Sequence, residues 1–502
     1  MIGEHIDVVA NVRVAGEGRA LLAHPDVERD GVFDVWLAAG AIADIAPAGA
    51  LPRRGRVLDA GGGWLVPGLW DHHTHFLQWS LATTRPSVQH AASPEEAARF
   101  AAGIAPGADG RRVLTHWRDG LWAAAPTRAV LDAATGDVPT YLLSSDVHAV
   151  WLNSAAFRRE RLEPTHDGLV REAAAFALID DLDDVAGSVA DAAHDRAARA
   201  AAARGVVGIW DLEFGENHGP WRRRADAGWD ALRVFSNVYP DDLERAIAEG
   251  LATGDPLGAN PLVRMGMLKV FGDGALGSRT AATTVDYDGH AGHRGALGTD
   301  PERMVELVAR AATAGIATTI HAIGDAANAA ALDAFARAGL SGRIEHAQLV
   351  AAPDVPRFSR LGVDASVQPQ HLVDDRDLTD AYWSCQHATP YPLATLAARD
   401  ANLLFGSDAP VSPLDPWAQM AAAVFRTDDE RAPWRPEQAL DIRTALAAST
   451  AGGSADPQVI LPGHAADLAV VSADPLRCRD AASLRSMPVQ ATLLGGRVTH
   501  AA

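Results

Sequence analysis

Eight short apolar runs, separated by alanine-rich stretches, constrain this chain more than any other feature. They fall at residues 64–70, 205–210, 232–238, 267–271, 317–321, 343–346, 363–367 and 402–406. Runs of this length read as strands, and the stretches 301–314 and 326–338 between them read as helices. Eight strands alternating with helices predict an α/β fold, a (β/α)8 barrel. A barrel gathers the C-terminal ends of its strands at one mouth, and chemistry is placed there.

The two ends of the chain differ from its middle. Residues 8–14, 32–37 and 41–45 read as short strands, and so do 467–471 and 491–498. Strands at both termini predict one small β-sandwich built from residues 1–64 and 457–502, beside a barrel over 65–456. The gap between the first two barrel strands is too long for one helix. It carries strand-like pieces at 112–117 and 140–143, so residues 81–184 read as a subdomain inserted over the mouth.

The 502 residues include 44 Lys and Arg against 64 Asp and Glu, a net charge of −20. So acidic a surface repels phosphate backbones, which excludes nucleic acid as an expected partner. No run of about 18 residues is free of charges and turn formers, so no membrane span is expected. The segment 1–7 leads straight into a strand-like run and does not read as a signal peptide. Cys385 and Cys478 make no disulfide framework, and a reducing, cytoplasmic location is expected.

Histidine, with 19 copies, is the informative excess. Asp71-His72-His73-Thr74-His75 ends the first strand, and strand alternation points His73 and His75 to one side and His72 and Thr74 to the other. Alone, such a pair is as readily a hydrogen-bonded turn. His321, His346 and Asp408 close the fifth, sixth and eighth strands, so four imidazoles and a carboxylate converge on one mouth. That donor set suits zinc, or manganese or iron. Lys269 sits inside the apolar fourth strand. Burial favours its neutral amine, which can add carbon dioxide to form a carbamate; the alternatives are snorkelling to solvent or pairing with Asp273. Asp211, Asp273 and Asp325 follow strands and read as partners of histidine N–H groups or as loop caps.

These stretches carry a resemblance. Residues 66–75, Lys269-Val270-Phe271-Gly272-Asp273-Gly274, His321-Ala322-Ile323-Gly324-Asp325, Arg343-Ile344-Glu345-His346-Ala347-Gln348, Gly406-Ser407-Asp408-Ala409-Pro410, 146–154 and 463–470 resemble the amidohydrolase superfamily. Within it they are most similar to the YtcJ-like branch that contains N-substituted formamide deformylase. The resemblance implies one or two divalent ions, zinc first, with His73, His75 and Asp408 on one and His321 and His346 on the other. It implies Lys269 as the bridging carbamate, with carbon dioxide as its source. It further implies hydrolysis of an amide-type C–N bond of a small molecule through a metal-activated hydroxide. Asp408 would serve as base and then acid, and His346 and Lys269 would be part of the catalytic centre. The insert is expected near the mouth, with His148, Asn153 and Trp122 as substrate contacts and Trp151, Trp210 and Trp383 as further candidates for an aromatic pocket. His148 can equally anchor the insert. A homodimer is the expected assembly.

Rival chemistries lack their motifs. There is no Gly-x-Ser-x-Gly elbow for a serine hydrolase and no P-loop or Gly-x-Gly-x-x-Gly turn for a nucleotide. The same metal centre could serve an esterase or lactonase. A non-catalytic barrel would be expected to have lost part of the ligand set, which is complete here.

Overall fold

The computed structural model describes residues 1–15, 31–118 and 122–502. Eight parallel strands follow one another around a barrel: β1 (Leu69–Thr74), β2 (Val206–Asp211), β3 (Arg233–Val238), β4 (Val263–Phe271), β5 (Thr318–Ala322), β6 (Gly342–His346), β7 (Val363–Val367) and β8 (Leu403–Phe405). Each expected run therefore contributes to the barrel.

The seam between β1 and β8 closes at the C-terminal end. Asp408 N–H donates to the His73 carbonyl at 2.7 Å, and His75 N–H to the Ala409 carbonyl at 2.8 Å. Asp71 Oδ1 accepts from Ser407 N–H at 3.0 Å and from His73 N–H at 3.1 Å. Gly406 permits this approach, because a Cβ there would lie 2.6 Å from the His73 nitrogen.

The first expected run divides in two, which corrects the boundary drawn at residue 64. Trp64–Pro67 pairs antiparallel with Leu468–Val471 in the terminal sheet, and only from Leu69 onward does the chain join the barrel. A Cβ at the intervening Gly68 would lie 2.5 Å from the Val207 side chain, so a small residue is needed where the chain crosses from sheet to barrel. The terminal sheet has the order Arg497–Ala501, Val489–Leu494, Leu468–Val471, Trp64–Pro67, Val8–Val14, Phe33–Ala38, Ala41–Pro47, with Val57–Asp59 paired to Val8–Val14. Val9, Val35, Leu65, Leu468 and Leu493 are among the apolar residues that fill its own core.

Barrel helices pack by their apolar stripes. In Pro301–Ala312, Asp300 caps the first turn, Pro301 opens it, and Met304, Leu307, Val308 and Ala311 recur at helical spacing on the buried face. They join Val270, Ile320 and Ile344 in the main core. Burying Met304, Leu307 or Val308 contributes about 1.5–3 kcal/mol each.

Between β1 and the helix Gly187–Ala202, the chain forms a four-stranded sheet in the order Leu169–Arg171, Ala149–Leu152, Thr140–Ser144, Arg112–Trp117. The helix Ala173–Asp183 follows it. Among the described residues no helix is long and apolar enough to cross a membrane.

Candidate metal centre and substrate cavity

The strand ends bring the expected ligands together. His73 Nε2 lies 3.2 Å and His75 Nε2 3.3 Å from Asp408 Oδ1. Donor atoms of His73, His346 and Asp408 lie within 4.8 Å of one another. The ring of His346 is 4.9 Å from that of His73 and 4.3 Å from that of His321, centroid to centroid. Alternation holds on β1: His72 turns away, with Nδ1 3.0 Å from the Phe405 carbonyl, and burial lowers its pKa to about 4. At the ends of β6 and β8 alternation breaks. His346 has φ 74° and Asp408 φ 56°, left-handed conformations that non-glycine residues rarely adopt and that gather at functional sites.

The donors suit a divalent ion. Burial holds His321 and His346 well below the ordinary imidazole range, so both are neutral and carry a lone pair. His321 Nε2 lies 3.2 Å from the Gly274 carbonyl, which assigns the proton to Nε2 and leaves Nδ1 as the free donor. Among the described residues, His346 Nδ1 and His75 Nδ1 are buried with no hydrogen-bond partner. His73 Nδ1 is 2.8 Å from Glu345 Oε2, which directs its lone pair to Nε2. Burial alone would raise the Glu345 carboxyl, but His73, with Lys269 and Arg343, outweighs it and holds the group at about 2. Burial opposes the charge on Asp408 as well, yet His73 and His75 hold its pKa well below the carboxylate range.

Lys269 is 1% exposed, and burial lowers its pKa. Among the described residues its Nζ has no hydrogen bond or ion pair; it stands 5.5 Å from the centre of the Phe271 ring. Pairing with Asp273 does not occur. Asp273 accepts from the backbone N–H groups of Ala282, Ile323 and Gly324, and its Oδ1 stands 3.5 Å from His321 Nε2. Asp211 accepts from Phe76 N–H, Asn217 and Trp221, and Asp325 from Thr284, so all three carboxylates clamp loops as expected.

The cluster forms the floor of an open cavity. His148 lines it, with its ring 6.2 Å from that of His321 and Nδ1 2.9 Å from Glu172 Oε2. Burial works against a charge on His148, but Glu172 outweighs it and lifts the imidazole above its ordinary value.

Two of the expected substrate contacts lie elsewhere. Asn153 caps the helix Ser154–Glu160 through Ala156 N–H and spends its amide on Thr135 and the carbonyls of Gly136 and Val138; it does not line the cavity. Trp122 packs on Trp117 and Trp151 and donates to the Ala91 carbonyl. Trp151 and Trp383 are buried, and Trp210 stacks on Phe235 at 4.2 Å. The aromatic surface of the cavity comes instead from Trp117 and three phenylalanines. Phe176, Phe214 and Phe271 stand nearly parallel at 5.0–5.8 Å, and Phe214 also stacks on His75 at 4.8 Å. Phe271 was within reach of strand periodicity, since it lies two residues beyond Lys269 on β4. His371, unassigned by sequence reasoning, lines the same cavity 3.8 Å from Asp408 Oδ2. Its only sequence signal is its place just after β7.

A donor set able to hold a divalent ion at the mouth of an eight-stranded barrel defines a class of metal-competent barrel proteins, and comparison with known proteins makes that specific. Residues 56–500 match the amidohydrolase family, and the chain belongs to it. It is 26% identical to N-substituted formamide deformylase from Arthrobacter pascens, over 89% of this chain and 90% of that protein. It is 28% identical to the putative amidohydrolase YtcJ of Bacillus subtilis, over 48% of each. The fold is that of an uncharacterized metal-dependent hydrolase from Pyrococcus horikoshii OT3: TM-score 0.78, 24% identity, 94% of this chain and 98% of that one. By family, then, the protein is a hydrolase of the branch its motifs resemble.

Proposed function

We propose that this enzyme hydrolyses an amide-type C–N bond in a small molecule, an N-acyl or N-formyl amine bearing an apolar group. The observation that carries this reading is Asp408, an ionised carboxylate at the cavity floor with one oxygen between His73 and His75. His73, His75 and Asp408 would hold one divalent ion, and His321 and His346 a second, with Lys269 as carbamate between them; zinc suits these donors. Such an ion lowers the pKa of water toward neutrality and polarises a carbonyl.

The chain's own groups supply the rest. Asp408 takes the proton of the nucleophilic water and returns it to the departing amine, which leaves poorly as an anion. His148, held by Glu172, offers its remaining N–H to the carbonyl oxygen. The three phenylalanines receive the apolar substituent. The N-substituted formamide deformylase among the relatives supports the bond class.

The test is a panel of N-acyl and N-formyl amines beside matched esters and lactones, run on zinc-loaded protein. Amide turnover is expected, and Asp408→Asn should cost about 10²–10⁴-fold in kcat with metal content retained. Near-normal turnover by that variant removes Asp408 from the proton path. Turnover of esters alone moves the enzyme to that class.

A further inference from the structure

We infer that the substrate of this site carries a carboxylate, and that Arg279 is the group that binds it. The inference rests on the amide-hydrolase reading for the bond cleaved, but the ligand contact stands on a separate observation.

Arg279 lines the cavity from the loop after β4. Its backbone is in the left-handed region at φ 60°. Two contacts fix it there: its N–H donates to the Leu276 carbonyl at 2.9 Å, and His293 Nε2 lies 2.8 Å from its own carbonyl. A non-glycine residue held in this conformation at a cavity wall is a recurrent property of ligand clamps. The guanidinium carbon lies 5.2 Å from the centre of the Tyr382 ring, and one N–H reaches the Tyr382 hydroxyl at 3.3 Å. These contacts hold the group in place without neutralising it.

The other charged groups of the wall outside the metal centre are engaged. Arg171 pairs with Asp167 at 2.9 Å, Arg118 with Asp374 at 3.7 Å and His148 with Glu172 at 2.9 Å. Asp146 accepts from Ser144 and from His148 N–H, and Asp375 from the Tyr391 hydroxyl. Among the described residues, no carboxylate lies within ion-pair distance of Arg279. A guanidinium has five donors in a planar fork that fits a carboxylate with two parallel hydrogen bonds, and among the described residues only one donor of Arg279 is used.

The background charge selects the anion. The wall also carries Asp146, Asp374 and Asp375, and the chain as a whole is at −20, so a dianion such as a phosphate monoester is repelled while a single carboxylate is tolerated. Beside the phenylalanine wall, this gives a ligand with an apolar group, an amide and one carboxylate, the pattern of an N-acylated amino acid.

The experiment compares N-acetylphenylalanine, in both enantiomers, with its primary carboxamide, which has nearly the same shape and no charge. Binding is measured by calorimetry on metal-free protein, so that affinity for the acid is not owed to an ion. One enantiomer of the acid should bind about 10–100-fold more tightly than its carboxamide, the range set by a charge-assisted hydrogen bond. Arg279→Gln should bring that ratio to within about twofold, and Arg279→Lys should keep part of it. Because the readout is a ratio on one protein, a general loss of folded material does not imitate the effect. Equal affinities, no measurable affinity for the acid, or a preference that survives Arg279→Gln would each overturn the inference. Turnover of the same compounds by zinc-loaded protein is scored separately: its absence counts against the amide reading, and the binding ratio still judges Arg279.

Discussion

Glu345→Gln separates a buried charge from the hydrogen bond it makes. The parent carboxylate accepts from His73 Nδ1 at 2.8 Å and from the Thr319 hydroxyl at 2.6 Å, and both His73 and Glu345 are essentially excluded from solvent. A glutamine has nearly the same shape. Its carbonyl can accept from His73, and the Thr319 hydroxyl can turn to accept from the new amide, so the fold and the ring orientation should survive. What disappears is the negative charge that makes His73 a stronger donor. Removing such a supporting partner typically costs 10–100-fold in metal affinity, about 1.4–2.8 kcal/mol. The full burial of this pair argues for the upper half of that range. Protons modify the effect in a definite direction. In the metal-free parent, burial and Lys269 oppose protonation of His73, but Asp408 and Glu345 outweigh them and raise its pKa. Its proton therefore competes with metal at the lower pH values. The variant lowers that pKa and weakens the competition, so the deficit in affinity should be larger at pH 8 than at pH 6. The assay is chelator-competition titration of zinc at the two pH values, with melting temperature as the check on folding. Unchanged affinity in a folded variant, or a deficit that grows toward acid, refutes this account.

Lys269→Ala should lower the metal bound per chain, and carbon-13 NMR with labelled bicarbonate should give a carbamate signal in the metal-loaded parent but not in the variant; a silent, fully loaded parent defeats the carbamate assignment. Burial raises the Asp71 carboxyl to about 6, from an ordinary 3.8, so the folded state binds more protons than the unfolded one between those values and loses stability as pH rises through them. Asp71→Asn removes that titration, so its melting temperature relative to the parent should climb between pH 5 and pH 7.5; a constant difference contradicts the assignment. Asn153→Ala loses a helix cap and the amide's bonds to Thr135, Gly136 and Val138, a cost of about 1–3 kcal/mol seen as a lower melting temperature, with KM unmoved. A tenfold rise in KM at normal stability would restore Asn153 as a substrate contact.

The barrel was legible because each strand is a short apolar run, and the metal donors because His73 and His75 obey strand alternation while His321, His346 and Asp408 sit where runs meet loops. Side chains whose positions depend on a turned backbone or a distant element were not. Glu345 and His346 are neighbours on one strand and alternation sends them to opposite sides; the left-handed backbone at His346 is what lets one support His73 while the other faces the cluster. Phe176 reaches the cavity from the helix Ala173–Asp183 of the insert, a placement set by tertiary packing. The location of Asn153 and Trp122 in the insert suggests substrate contacts. Their polar atoms serve the insert itself, which sequence proximity to His148 does not reveal.

The β1–β8 seam has a consequence for how the molecule is assembled. Asp71 and Ser407 are 336 positions apart in the chain, and His73 and Asp408 meet across the same join. Contacts this remote pay their loop-closure entropy late in folding, after the local strand–helix units exist. The candidate ligand cluster of His73, His75 and Asp408 is therefore completed only when the ring of strands shuts. An ion bound there recognises the closed ring and not its precursors, and ligation stabilises the closed state by mass action, in proportion to the logarithm of free metal over its dissociation constant. If the site holds a divalent ion, as proposed above, the free concentration of that ion would govern how long the ring stays shut, and with it the exposure of β1 and β8 as open sheet edges available for aggregation or proteolysis.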